Sequence, residues 1–134
     1  MRIFTGVILL TLSTTSAFAD CGTLNAPTDQ QLSSKAYQLQ YRMEPDGLAV
    51  SQDFSVLFEV CKSDGTAVEG TPSVDAYMPM HGHGMNYRAQ VEKLGDGKFR
   101  ATGFMFHMPG KWQFKFDINE PQGSEQLTAD HMVK

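Results

Sequence analysis

Trp112, Phe114, Phe116 and Ile118 alternate without a break with Lys111, Gln113, Lys115 and Asp117. A two-residue period of this kind predicts a strand with one buried and one wet face. The same period runs through residues 35–43, where Tyr37, Leu39, Tyr41 and Met43 alternate with Ala36, Gln38, Gln40 and Arg42. It returns in residues 53–61, where Phe54, Val56, Phe58 and Val60 share a face. Turn chemistry separates the runs at Pro45-Asp46-Gly47, Ser63-Asp64-Gly65, Gly95-Asp96-Gly97 and Pro121-Gln122-Gly123. The third of these predicts a hairpin joining residues 87–94 to 98–106. No window of useful length has a 3.6-residue apolar period. Strands are expected near residues 35–43, 48–61, 73–80, 87–94, 98–106, 111–119 and 125–133. About seven short strands at that spacing predict an all-β, immunoglobulin-like antiparallel sandwich.

One run breaks its own rule. Lys98, Arg100 and Thr102 form a polar parity that continues as Phe104, Phe106 and Met108. Either a bulge at Gly103 exchanges the two faces, or aromatic side chains lie exposed beside His107. Glycine inside a strand is where a bulge is expected, and bulges re-aim side chains next to sites.

The first residues follow a different pattern. Arg2 supplies a positive start, residues 3–12 are mostly apolar, and Ala17-Phe18-Ala19 is a small-x-small cleavage site. That is the layout of a secretory signal peptide, with an apolar run too short for a membrane span. Asp20 before Cys21 makes a poor lipidation signal. The expected organisation is a cleaved signal over residues 1–19, an N-terminal arm over 20–34 that looks loose and polar, and one sandwich domain over 35–134. The product is expected to be periplasmic or secreted, with no membrane insertion after processing. Export also bears on the cysteines. In an oxidising compartment Cys21 and Cys61 are expected to form a disulfide, and closing a loop of about 40 residues stabilises a fold by roughly 4 kcal/mol on the chain-entropy model. Thiolate metal ligation is the alternative, without the CxxC spacing that would support it.

The formal net charge is −4 and the basic residues are scattered. Phosphate backbones find no basic stripe here, which argues against nucleic acid as a partner.

The chemistry concentrates in one interval. Five of the eight methionines (Met78, Met80, Met85, Met105, Met108) and three of the four histidines (His81, His83, His107) fall between residues 78 and 108. Thioether sulfur is soft and imidazole borderline, a set suited to Cu(I) with imidazoles able to retain Cu(II). The stretch MPMHGHGM, residues 78–85, contains no carboxylate that calcium or magnesium would need. Val74, Ala76, Met78 and Met80 share a parity, which points Met78 inward and leaves Met80 near the rim. Gly82 and Gly84 allow a sharp turn that gathers His81, His83 and Met85, and His107-Met108 precedes a second turn, Pro109-Gly110. The expected primary ligands are His81, His83 and Met85, with Met80, His107 and Met108 completing the shell. Met78 is a further donor that also suits a core position. Met105 and Trp112 suit the core too, Met43 and Met132 lack partners in sequence, and His131, near a C-terminus expected to fray, is a poor candidate ligand.

These stretches carry a family resemblance. Residues 78–85, the Gly95–Gly97 turn and Phe106-His107-Met108-Pro109-Gly110-Lys111-Trp112 resemble the YtkA-like and FixH-like group of exported β-sandwich domains. The resemblance spans about residues 35–119 and implies an immunoglobulin-like fold with a role in copper handling or oxidase assembly. Met78, His81, His83, Met85, Met108 and Trp112 occupy the motif positions, and Met80 and His107 enrich the site beyond them.

Three functions follow as expectations. The first is a copper carrier or tolerance factor that exchanges the ion with a donor or acceptor protein in the envelope. The second is a metal-free interaction or assembly module with an adaptable methionine surface. The third, an enzyme, is disfavoured: a zinc hydrolase built on His81, His83 and His107 would lack a carboxylate base in either loop. Whether two chains share one ion stays open.

Overall fold

The computed structural model describes residues 22–134. Among them run nine strands: β1 (Gln30–Ser33), β2 (Tyr37–Glu44), β3 (Asp53–Lys62), β4 (Ser73–Met78), β5 (His83–Gly84), β6 (Gln90–Gly95), β7 (Lys98–Met105), β8 (Gly110–Glu120) and β9 (Gly123–Val133). They form two antiparallel sheets, a five-stranded one ordered β1-β2-β3-β7-β6 and a four-stranded one ordered β5-β4-β8-β9. The all-β sandwich expected from alternation is the observed fold, with two strands more than the alternating runs announce. Those two, β1 and β5, are four and two residues long, too short for a period to show. The signal peptide expected over residues 1–19, and Cys21 of the expected disulfide, lie outside the described residues.

The inward rows are the apolar parities of the sequence. Tyr37, Leu39, Tyr41, Phe54, Val56, Phe58 and Val60 face Val74, Ala76, Met78, Trp112, Phe114, Phe116 and Ile118 across the core, and all are buried. Phe114 stands at its centre, with the rings of Tyr41, Phe54, Phe104, Phe106 and Phe116 at centroid distances of 5.7 to 6.2 Å. Such ring pairs contribute about 0.5–1.5 kcal/mol each beyond burial, which makes this cluster the rigid floor beneath the rim.

The N-terminal arm is tied down, contrary to the loose segment expected. β1 pairs with β2. The Glu59 carboxylate, on the outer face of β3, accepts hydrogen bonds from the backbone N–H groups of Thr23 (2.8 Å) and Leu24 (3.2 Å). Leu24 is buried there, and Arg42 holds Asp29 at 3.1 Å. β3 lies in the middle of its sheet, so its outer face needs a cover, and the arm supplies it.

The bulge foreseen at Gly103 is present. Phe54 pairs with Phe104 and Val56 with Ala101, so one residue of β3 faces two of β7 at that step. Gly103 takes a φ of +88°, open to glycine at little steric cost. Phe99 and Ala101 point inward before it; Phe104 and Phe106 point inward after it, and all four are buried. Met105 therefore falls on the outer parity and is only partly buried, which corrects its expected place in the core.

The far end of the sandwich is pinned separately. The buried Glu120 carboxylate accepts hydrogen bonds from Tyr37 Oη (2.9 Å) and the Glu69 N–H (3.0 Å) and pairs with Lys62 Nζ at 3.3 Å. Burial raises its pKa, but these donors outweigh it and hold the carboxyl below its ordinary value.

Candidate functional site

Two connections meet at the other end. The first, Pro79–Gly82, closes a tight turn in which the N–H groups of His81 (3.2 Å) and Gly82 (2.9 Å) both donate to the Met78 carbonyl. Gly82 enters the left-handed region, φ +66°, and the chain returns as β5 with His83 opposite Met78 and Gly84 opposite Tyr77. The second, residues 106–109, carries the chain from β7 in one sheet to β8 in the other. The N–H of Ser51, in the β2–β3 loop, braces it by donating to the Phe106 carbonyl at 2.8 Å. Because the bulge has exchanged parities, Phe106 turns into the core and His107 turns out. Were residues 98–107 in unbroken alternation with no bulge, His107 would share the inward parity of Phe99 and Ala101.

The imidazoles form a line across the rim. The rings of His81 and His83 are 5.7 Å apart at their centroids, and those of His83 and His107 5.3 Å. Two imidazoles that bind one first-row ion through nitrogens at about 2 Å have centroids roughly 5–6 Å apart. His83 is common to both pairs. Its Nδ1 lies 3.3 Å from the Gly84 carbonyl; in the Nδ1–H tautomer that bond leaves Nε2 as the lone-pair donor, the arrangement that orients metal-binding histidines. Among the described residues no three His, Cys, Asp or Glu side chains close into one ligand group, so any shell needs the thioethers or a pivot of the exposed His81 and His107.

Trp112 lies beneath this line and is 0% exposed. Its centroid is 6.1 Å from that of His83 and 5.3 Å from that of His107, with interplanar angles of 72° and 80°. Phe106 stacks on it at 4.6 Å and 25°. The indole N–H donates to the Met108 carbonyl at 3.0 Å, which fixes the ring and the second turn together.

The methionines separate into three groups. Met78 is buried beneath the turn, and its Cε lies 2.8 Å from where a Cβ on Gly110 would stand. Met85 and Met108 are half-buried and pack against the core from the rim. Met80 is 81% exposed at the tip of the turn, away from the gathered side chains. The donor set thus comprises imidazoles at the surface with thioethers below and beside them, which fits a soft ion and offers no carboxylate to a hard one.

His131, set aside in the sequence, stands at this same end. β9 runs unbroken past it, and it continues the inward row of Leu127 and Ala129 opposite Trp112. Its ring is 6.1 Å from that of Phe106. Burial lowers its pKa against the opposing field of Asp46. The parity of Leu127, Ala129, His131 and Val133 carried the signal.

The family model described as YtkA-like matches residues 30–117, a span that takes in both turns and eight of the nine strands at least in part. No curated protein and no solved structure gives a significant match.

Proposed function

The chain belongs to the YtkA-like family, and from that premise we propose that it is an exported copper-binding protein, a carrier or tolerance factor rather than a catalyst. One observation carries this reading: His83 stands in ring contact with both His81 and His107, at 5.7 and 5.3 Å, while Met85 follows β5 and Met108 lies in the second turn, both packed on the core. His81, His83 and Met85 are the proposed primary ligands, His107 and Met108 the completing ones, and Met78 a buried reserve donor. Met80, at the exposed tip, is suited to first capture of an incoming ion. Partial exposure favours exchange with an envelope donor or acceptor over permanent storage. The signal-like residues 1–19 support a periplasmic or secreted location.

The test is a copper titration of the purified protein with metal counted by mass spectrometry after desalting. About one copper per chain is expected, with loss of binding in a His81→Ala/His83→Ala variant. Unchanged stoichiometry in that variant refutes the ligand assignment. A metal-free product in the wild type favours the interaction module instead, a reading supported by the exposure of Met80 and of Tyr87, 63% exposed.

A further inference from the structure

Trp112 is the single tryptophan of the chain, and its surroundings are unusual for a core residue. Core aromatics pack against aliphatic and aromatic neighbours. This indole has Phe106 stacked against it and two imidazoles standing nearly upright to its plane. The centroids of His83, His107 and Trp112 form a triangle with sides of 5.3, 5.3 and 6.1 Å. The point equidistant from the three lies about 3.2 Å from each, and an ion held by an imidazole nitrogen at about 2 Å sits roughly 3 Å from that ring's centroid.

We propose that Trp112 is a ligand face: a soft monovalent cation bound by His83 and His107 rests against the π-system of its indole. This deepens the copper reading and rests on it, but it adds a donor and a selectivity that the imidazoles and thioethers do not supply. An ion bound in an imidazole plane lies along that ring's lone pair. With both imidazole planes steep to the indole plane, at 72° and 80°, a ring nitrogen turned to the indole side presents its ion to the indole face, where the ring quadrupole attracts it. The indole is closed to water, and the attraction strengthens where the cation is desolvated. A monovalent ion gives up its hydration shell more readily than a divalent one, so the device favours Cu(I) over Cu(II). The hydrogen bond from Nε1 to the Met108 carbonyl holds the face in place without occupying it.

The experiment uses Ag(I) in chloride-free buffer and Cu(I) buffered by a competing chelator, added to the purified protein, with binding followed by native mass spectrometry. The near-ultraviolet absorption of the chain's one indole is recorded in parallel. A red-edge indole band rising in step with occupancy, and saturating with it, is expected for both ions. Trp112→Phe keeps an aromatic ring with a weaker π-face, and should bind Ag(I) and Cu(I) about tenfold more weakly while its Cu(II) affinity stays within about twofold of the wild type. An indole spectrum that is unchanged while the ion is bound overturns the proposal and leaves copper binding intact. A band without loss of affinity in Trp112→Phe overturns it as well, since the ring would then be near the ion without holding it. If the variant does not fold, the wild-type spectrum alone decides. Absence of any bound ion in the wild type removes both this proposal and the reading beneath it.

Discussion

The methyl of Met78 ends where a Cβ on Gly110 would begin: the two positions lie 2.8 Å apart. Met78 closes β4 and Gly110 opens β8, so the contact ties the floor of the first turn to the exit of the second. Gly110 also takes a φ of +127°, a region that side-chain-bearing residues avoid. Gly110→Ala therefore meets strain chiefly from its own backbone, while the Met78 methyl, the far end of a flexible side chain, must shift aside. Denaturant unfolding should show a loss of about 1–3 kcal/mol. A change within about 0.5 kcal/mol would mean that the backbone at Gly110 relaxes out of its positive φ at little cost.

The bulge makes a sharper prediction. Thr102 and Gly103 together oppose a single residue of β3, and the exchange of faces turns His107 outward. Deleting Thr102 restores even pairing, with Gly103 alone opposite Ser55, and leaves Phe104 and Phe106 on the inward parity and His107 on the outward one. No side chain changes environment, so a loss of no more than about 2 kcal/mol is expected, from the local twist that the bulge supplied; a loss above about 4 kcal/mol would mean that the register is not set as described. Gly103→Ala keeps the residue count, its Cβ makes an ordinary contact with the Arg88 carbonyl at 3.5 Å, and the φ of +88° costs about 1–3 kcal/mol. Thermal melts of the two variants side by side separate register from strain.

Most of this architecture was legible because burial in a sandwich is written as parity. The rows ending in Trp112, Phe116 and Ile118 needed no structure, and Gly103 marked the one place where the parity failed. β1 and β5 were illegible for a physical reason. Residues 30–33 are held by pairing with β2, and residues 83–84 by the preceding turn, so neither stretch carries a periodic apolar face. The arm seemed loose because its anchor is a long-range bond: Thr23 and Glu59 are distant in sequence, and a glutamate on a strand's outer parity ordinarily faces water. At the rim, the sequence identified the donor types and both turns but not their spacing. It excluded His131 by assuming a frayed end, although the parity of Leu127 and Ala129 already included it.

The arm yields a prediction of its own. Glu59 is buried and accepts the N–H groups of Thr23 and Leu24. Cys61 is on the same outer parity two residues along β3, and Cys21 of the expected Cys21–Cys61 bridge comes two residues before Thr23 in the sequence. Glu59→Ala leaves the buried Leu24 N–H and the part-buried Thr23 N–H without their acceptor and should cost about 1–3 kcal/mol. It should also open residues 22–29 to limited proteolysis. Reduction of the wild type should lower stability further, by up to roughly 4 kcal/mol. A protein whose mass under denaturing conditions is the same before and after thiol alkylation without reductant, and rises by two adducts only after reduction, has the bridge; two adducts without reductant show that it does not.

The last prediction concerns acid. Burial lowers the pKa of His131, and the opposing field of Asp46 does not reverse it. The folded state therefore resists a proton that the unfolded chain accepts near pH 6.5. Stability contributed by keeping the ring neutral is complete above that pH, and it is lost as pH falls from about 6.5 through the lower folded value. Glu120 also has a lowered pKa, but its contribution is complete above its unfolded value of about 4.3 and is lost only as pH falls below that, so the two groups act in separate windows. The charged and polar neighbours of the rim (Asp46, His83, His107 and Asp130) are retained in His131→Leu, which removes only the buried titration. Urea unfolding between pH 7 and pH 5 should show a decline in wild-type stability that is flattened in His131→Leu, while both proteins weaken together below about pH 4. A parallel decline of the two across pH 7 to 5 would show that His131 is not the source of the acid sensitivity.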